Sequence, residues 1–330
     1  MRGGNLTGSS NLPPSVMKNI EHLLARNISD MRISIVPVPF DANNSGINST
    51  VGAPSYVEKN GFSRALFTLG AVVTKEQVMR EKDFVRTICS VQNSVAKILR
   101  RKEKCIVFGG THTVALGSVS GALQVFGNEL GVIWIDAHGD LNTHETSLTG
   151  NVHGMVLAAL LGVGNRSLTR LVKKKLPAKN LLHVGLRDAD MAEITLIKKR
   201  KLNVVTMGNI AENGLADCVK NIQRFAKHKK YVWVSVDIDV VDKNDAPASP
   251  MAAYGGLTYR EITHLAKHIG DICNVVGMDF VEIAPKKDVQ KKTAHLCAEL
   301  AASLLGAIHS WYTEKYLKIH TRRAQSSRVL

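Results

Sequence analysis

The run Leu130-Gly131-Val132-Ile133-Trp134-Ile135 carries no charge and no proline. An apolar stretch that short reads as a strand buried on both faces, which is how strands of a helix-covered parallel sheet look. Comparable runs recur at 32–38, 104–108, 180–185, 202–206, 231–238 and 274–281. Helical patterns separate them at about 75–101, 112–126, 152–162, 190–200, 212–228, 258–269 and 291–316. Strands alternating with helices predict βαβ units with right-handed crossovers, and hence an α/β fold built as one domain over 31–330. Residues 1–30, rich in Asn, Ser and Gly, read as a flexible amino-terminal tail with one short helix around 15–26, and a basic tail is expected from about 317. The polar stretch from Pro39 to Pro54 is long for a loop in a compact domain, and such loops are more often functional than idle.

Charge narrows the function classes. Lysine and arginine number 43 against 28 acidic residues, a formal net charge of +15. The excess is scattered in clusters such as Lys173-Lys174-Lys175 and Lys198-Lys199-Arg200-Lys201, without aromatic interleaving or a nucleic-acid motif. The expectation is no nucleic acid and no membrane partner. Five widely spaced cysteines without a Cys-x-x-Cys pair suit reduced thiols, and no signal pattern or bilayer-length apolar run is present. The chain therefore reads as intracellular and cytoplasmic.

Chemistry concentrates where the strands end. Asp136, His138 and Asp140 follow the central strand at alternate positions, and an extended chain would point all three the same way. Asp237 and Asp239, in Ser235-Val236-Asp237-Ile238-Asp239, repeat the pattern after Tyr231-Val232-Trp233-Val234. His112 follows Gly109-Gly110 at a third strand-to-helix turn. Paired carboxylates in a core repel one another unless cations lie between them. Four carboxylates and two imidazoles, without thiolate, suit two divalent ions such as Mn(II) better than a structural zinc. Trp134, Trp233 and Trp311 read as packing residues.

These motifs resemble the arginases of the ureohydrolase family, from about Arg32 to the terminal helix. The resemblance is carried by Gly109-Gly110-Thr111-His112-Thr113, Asp136-Ala137-His138-Gly139-Asp140 and Ser235-Val236-Asp237-Ile238-Asp239. Asp279-Phe280-Val281-Glu282-Ile283-Ala284-Pro285 and Gly256-Leu257-Thr258-Tyr259-Arg260-Glu261 match as well. The block from Asn142 to Gly154 is closer to arginases than to agmatinases, and the ligand set is unlike that of a histone-deacetylase relative. The resemblance implies a three-layer α/β/α fold with an eight-stranded parallel sheet, a homotrimer, two Mn(II) ions and hydrolysis of L-arginine to L-ornithine and urea. It implies metal ligation by His112, Asp136, His138, Asp140, Asp237 and Asp239, with Asp140 also catalytic. Glu282 would face the substrate guanidinium and His153 would move protons. Asn142 and Thr149 would hold the α-carboxylate, with Thr149 standing where arginases carry Ser, and Asp190 the α-amino group.

Departures from the pattern cluster around the substrate. Thr111 stands where the family has Asp, and Lys243 where it has Pro. Pro250 and Met251 occupy a Gly-Thr position, and the run from Gly46 to Pro54 lacks the family's Gly-Gly-Val signature. The expectation is a sound metal set beside an altered substrate shell, with arginine hydrolysis weak or absent. The alternative is a non-catalytic protein of this fold that binds a small molecule or partner.

Overall fold

The computed structural model describes residues 28–42, 50–77, 83–251 and 254–307. The expected amino-terminal tail and its helix, most of the 39–54 loop, Trp311 and the basic tail lie outside the described residues. Eight strands form one sheet: β1 (Arg32–Pro37), β2 (Val72–Lys75), β3 (Lys104–Phe108), β4 (Leu130–Ile135), β5 (Leu181–Leu186), β6 (Asn203–Thr206), β7 (Tyr231–Asp237) and β8 (Val275–Val281). Their order is β2-β1-β3-β8-β7-β4-β5-β6, and every pairing is parallel.

Helices α1 (Ala53–Lys59), α2 (Phe62–Thr68), α3 (Phe84–Arg100), α4 (Ala115–Phe126) and α5 (Val156–Leu160) are followed by α6 (Arg166–Thr169) and α7 (Met191–Arg200). Then come α8 (Met207–Ala226), α9 (Tyr259–Ile272) and α10 (Lys292–Leu304). Strand alternation sorts the core into two layers. Val132, Trp134 and Trp233 face α3, α4 and α5 through Val95, Leu116 and Leu157. Ile133, Ile135, Val234 and Val236 face the other side, where Leu66 of α2, Ile222 of α8, Leu265 of α9 and Leu300 of α10 pack. Each such side chain contributes about 1.5–3 kcal/mol by burial, so β4 and β7 anchor the centre of the sheet.

The helix expected over 75–101 begins later, at Phe84, and Lys75 ends an edge strand. The β-branched Val72, Val73 and Thr74 pair with β1 as edge strand β2, and Asp83 caps α3 by accepting from the Arg86 amide at 2.8 Å. α1 and α2, absent from the sequence reading, begin beyond Gly52. α8 starts earlier than expected, at a Thr206–Asn209 capping box, and bends at Gly214 (φ 77°). The sheet order brings the carboxyl ends of β3, β8, β7, β4 and β5 to one rim, the edge where parallel sheets bind ligands.

Candidate metal centre

The acidic residues converge by a route the periodicity argument did not foresee. β4 stops at Ile135 and β7 at Asp237, so neither motif continues as strand. Each chain instead folds over its first aspartate. Asp136 Oδ1 accepts from the His138 amide at 2.7 Å, and Asp237 Oδ1 accepts from the Asp239 amide at 2.9 Å. These side chain-to-backbone turns, available to Asp two residues on, replace the strand period. Asp140 lies in the left-handed region (φ 53°), as does Glu282 (φ 56°). That costs a non-glycine residue about 1–2 kcal/mol. Surrounding bonds hold both: the Asp140 carbonyl accepts from Leu157 and Ala158, and the Glu282 amide donates to Gly110 at 2.8 Å. Gly110 itself admits no side chain, because a Cβ there would lie 2.0 Å from the Phe40 carbonyl oxygen.

Two donor groups result, each with ligand atoms within 4.8 Å of one another: His112, Asp136 and Asp140, and then Asp136, His138 and Asp239. Asp136 belongs to both. Asp237 completes the ring, its Oδ2 3.4 Å from His112 Nδ1. All four carboxylates are buried, Asp136 entirely. His112 Nδ1 lies 3.0 Å from Asp136 Oδ2 and 3.0 Å from Asp140 Oδ2. Yet neither that nitrogen nor Asp140 Oδ2 has a hydrogen-bond partner, although both are buried. Buried polar atoms are almost always paired. An imidazole nitrogen and hard oxygens converging unpaired on one point fit a divalent cation.

The surroundings orient these donors. His112 Nε2 donates to Ser235 Oγ at 2.9 Å, because Ser235 in turn donates to Asp279 Oδ1. Asp279 Oδ2 also accepts from Ser118 Oγ at 2.6 Å and from Trp233 Nε1 at 2.7 Å. In the neutral ring that a metal ligand requires, this chain leaves the proton on Nε2 and the Nδ1 lone pair toward the carboxylates. Trp134 stacks on the His112 ring at 4.1 Å and donates to Asp136 Oδ2 at 3.0 Å. Trp134 and Trp233 are therefore not packing residues only. Their hydrogen-bond donors were invisible to a reading that placed them by hydrophobicity. His183 Nε2 donates to the His138 carbonyl at 2.8 Å, and Arg187 donates to the Asp239 carbonyl at 2.6 Å. The Thr111 hydroxyl donates to Thr113 Oγ1 at 3.1 Å, and it is the Ser235–Asp279 pair that supports His112 in place of the family's acid.

Protons take the place of cations in the metal-free cluster. Burial works against a charged His138, but Asp239, with Oδ2 2.8 Å from Nδ1, overrides it and pushes the pKa up to about 11. His112 is likewise raised well above its ordinary value against burial, first by Asp140 and then by Asp136. Burial and the neighbouring Asp239 and Asp136 hold Asp237 well above the usual carboxylate range.

The centre floors a cavity of about 220 Å³ whose wall adds Asn142, His153, Asp188, Asp190, Glu193, Met251 and Glu282. Glu282 Oε1 accepts from the His112 amide at 2.8 Å and lies 3.3 Å from His153 Nδ1. Burial lowers the affinity of His153 for a proton, and Glu282 more than restores it, leaving the pKa raised. Asp190 caps α7 through the Ala192 and Glu193 amides and accepts from Asn142 Nδ2 at 2.8 Å. Glu193, missed in the sequence because it sits on a helix, faces the cavity with Oε1 accepting from the Leu141 amide at 3.0 Å. Its Asp-x-x-Glu spacing from Asp190 was the available signal.

Thr149 falls differently from the sequence reading. It is exposed and outside the cavity wall, its hydroxyl accepting from the Asn151 amide at 3.2 Å. Lys243, which stands where the family has Pro, is not among the residues lining the cavity. Its ammonium sits 3.6 Å over the Tyr254 ring, where a cation is attracted to the π face. Met251 does line the cavity, and it is 61% exposed.

The parallel α/β sheet presents, at its central strand ends, two groups of donors that share one aspartate and could each hold a metal ion. Residues 31–306 match the model of the Arginase family. The arginase of Bacillus subtilis is 33% identical over 293 residues, covering 84% of this chain and 98% of that protein. The arginase of Brevibacillus brevis is 35% identical over 291 residues, covering 83% and 97%. A crystal structure of the Bacillus subtilis arginase superposes with a TM-score of 0.79 over 83% of this chain and 98% of that one. The chain belongs to the arginase family. A formimidoylglutamase from the same organism, 21% identical at a TM-score of 0.71, shares the fold.

Proposed function

We propose that this protein is a metal-dependent hydrolase of a guanidino compound, holding two Mn(II) ions through His112, Asp136, His138, Asp140, Asp237 and Asp239, and that arginine itself turns over slowly. The observation that carries the metal reading is the pair of donor groups sharing Asp136 around unpaired His112 Nδ1 and Asp140 Oδ2. When bound, such ions supply positive charge that acidifies a water and offsets negative charge developing on the substrate.

The chain's own residues supply the rest. The Glu282 carboxylate, fixed by the His112 amide, is placed to meet a guanidinium with charge-assisted hydrogen bonds. Water adds to the guanidinium carbon, the C–N bond to the substrate's carbon chain breaks, and the two protons that the water loses as urea forms balance the two that the departing nitrogen gains, the first of these coming from a side chain. His153 on the cavity wall, whose affinity for a proton Glu282 raises, is the group that donates it. Asp140 contributes a buried carboxylate beside the reacting carbon's position. Asn142, Asp190 and Glu193 form a polar arc suited to an amino-acid head group, and Thr149 joins it only if its loop closes over a ligand.

Met251 carries the attenuation. A thioether offers no hydroxyl to the guanidinium, and Pro250 fixes the backbone before it. Dialysis against Mn(II) followed by elemental analysis is expected to give two ions per chain, with slow urea release from arginine. No metal uptake would overturn the centre, and urea release at the rate of the Bacillus subtilis enzyme would overturn the attenuation. Metal uptake with no urea from any guanidino compound would favour a binding protein on this fold, a reading the exposed Met251 supports. Light scattering tests the homotrimer that the family resemblance carries.

A further inference from the structure

Helix α9 presents two histidines, His264 and His268, four residues apart. Side chains at that spacing lie one above the other on a helix surface. Here the two Nε2 atoms approach to 3.0 Å, with ring centroids 4.4 Å apart and the planes at 72°. Both residues are partly exposed, and no residue of α9 lines the cavity of the metal centre.

We propose that His264 and His268 form a second metal site, a helical two-imidazole chelate for a divalent ion of the Ni(II), Cu(II), Zn(II) group. Nitrogens about 2.0–2.1 Å from one ion and about 90° apart lie about 2.9–3.0 Å from each other, the separation a tetragonal Cu(II) or Ni(II) requires. A small opening of the pair to about 3.3 Å suits tetrahedral zinc. Two histidines at this spacing on one helix face are the recurring protein device for such ions. The surroundings agree. Burial, His264 and Lys267 all lower the His268 pKa, which favours the neutral ring, the form that ligates. Asp271, one turn on, favours positive charge at His268, and its carboxylate meets Lys267. The donors are nitrogen, whereas the cavity centre is dominated by oxygen, so the two sites select different ions.

The test uses the full chain without a histidine tag, its cavity centre first loaded with Mn(II). Cu(II) is added, the protein is gel-filtered, and both metals are measured. The native chain is expected to retain one copper more than the His264→Gln/His268→Gln chain, with manganese unchanged in both. Each single substitution is expected to lose the extra copper as well, because one imidazole does not chelate. Equal copper in native and double-substituted chains overturns the site, as does copper gained only with matching manganese loss. A second measurement needs no substitution: one equivalent of Cu(II) should protect His264 and His268 together from carbethoxylation, read by peptide mass spectrometry. Modification of both at the unprotected rate overturns the proposal.

Discussion

The floor and the rim of the cavity are built differently. On the floor, Asp136, Asp237 and Asp239 lie at or just beyond the ends of β4 and β7, are buried, and are each held by a main-chain amide, Asp136 by an indole as well. At the rim, the 142–151 and 247–254 loops carry the residues that would meet the rest of a substrate, and these are exposed: Thr149, Leu148 at 96% and Met251 at 61%. A floor position is constrained by packing, by hydrogen bonding and by charge together, so change there is expensive. A rim position is constrained by the ligand alone. The departures from the arginase pattern at Met251 and Pro250 fall where the fold tolerates them, which is why a full set of candidate metal donors and an altered cavity wall coexist.

The largest expected effect breaks the floor. Asp136→Asn removes the donor common to both groups and should take metal content to near zero at Mn(II) concentrations that saturate the native chain, by elemental analysis. Asp279→Asn leaves the ring intact but disturbs its support, since an amide cannot accept from Ser118, Ser235 and Trp233 as a carboxylate does. Metal affinity should weaken about 10–100-fold, and thermal melts should show a loss of about 1–3 kcal/mol. If Asp279→Asn binds Mn(II) as the native chain does, the support network is not what orients His112.

Acidity separates the metal-free from the loaded floor. The folded pKa of His138, about 11, lies above the ordinary 6.5. Its contribution to stability is therefore complete below about 6.5 and is lost as pH rises through about 11. Melts of chelator-treated protein should fall over that window, whereas the loaded protein, its protons replaced by ions, should not show the loss. By the same linkage, Mn(II) affinity should rise with pH. Flat melts of the chelator-treated protein would remove the proton-for-metal exchange.

The rim gives smaller effects. Pro250→Gly/Met251→Thr, which returns backbone freedom and a hydroxyl to the wall, should speed urea release from arginine about 10-fold, with metal content unchanged. No gain would place the attenuation elsewhere. Leu148→Ala should leave stability within about 0.5 kcal/mol and metal content unchanged, since its side chain is almost wholly in solvent.

Much of this was legible from residues alone, for local reasons. Uncharged runs such as 130–135 mark buried parallel strands whatever lies around them, and the aspartates after them mark the rim. The edge strand β2 was not legible, because Val72, Val73 and Thr74 are too short a run to mark a strand until β1 is there to pair with them. The indoles of Trp134 and Trp233 were read by size and hydrophobicity, and only the fold aims their N–H groups at Asp136 and Asp279.

The sequence by itself determined the type of sheet, the strand ends that carry acid and imidazole, and the donor chemistry, since these rest on residue types and short spacings. The tertiary structure decided how they meet. Asp239 and His138 reach the centre through turns folded over Asp237 and Asp136. The proton on His112 is placed by Ser235 and Asp279, contributed by two neighbouring strands. Glu193 enters the cavity from a helix, and Lys243 leaves it for a tyrosine. Each of these depends on groups far apart in the chain coming within hydrogen-bond or van der Waals distance, and no local pattern encodes such distances.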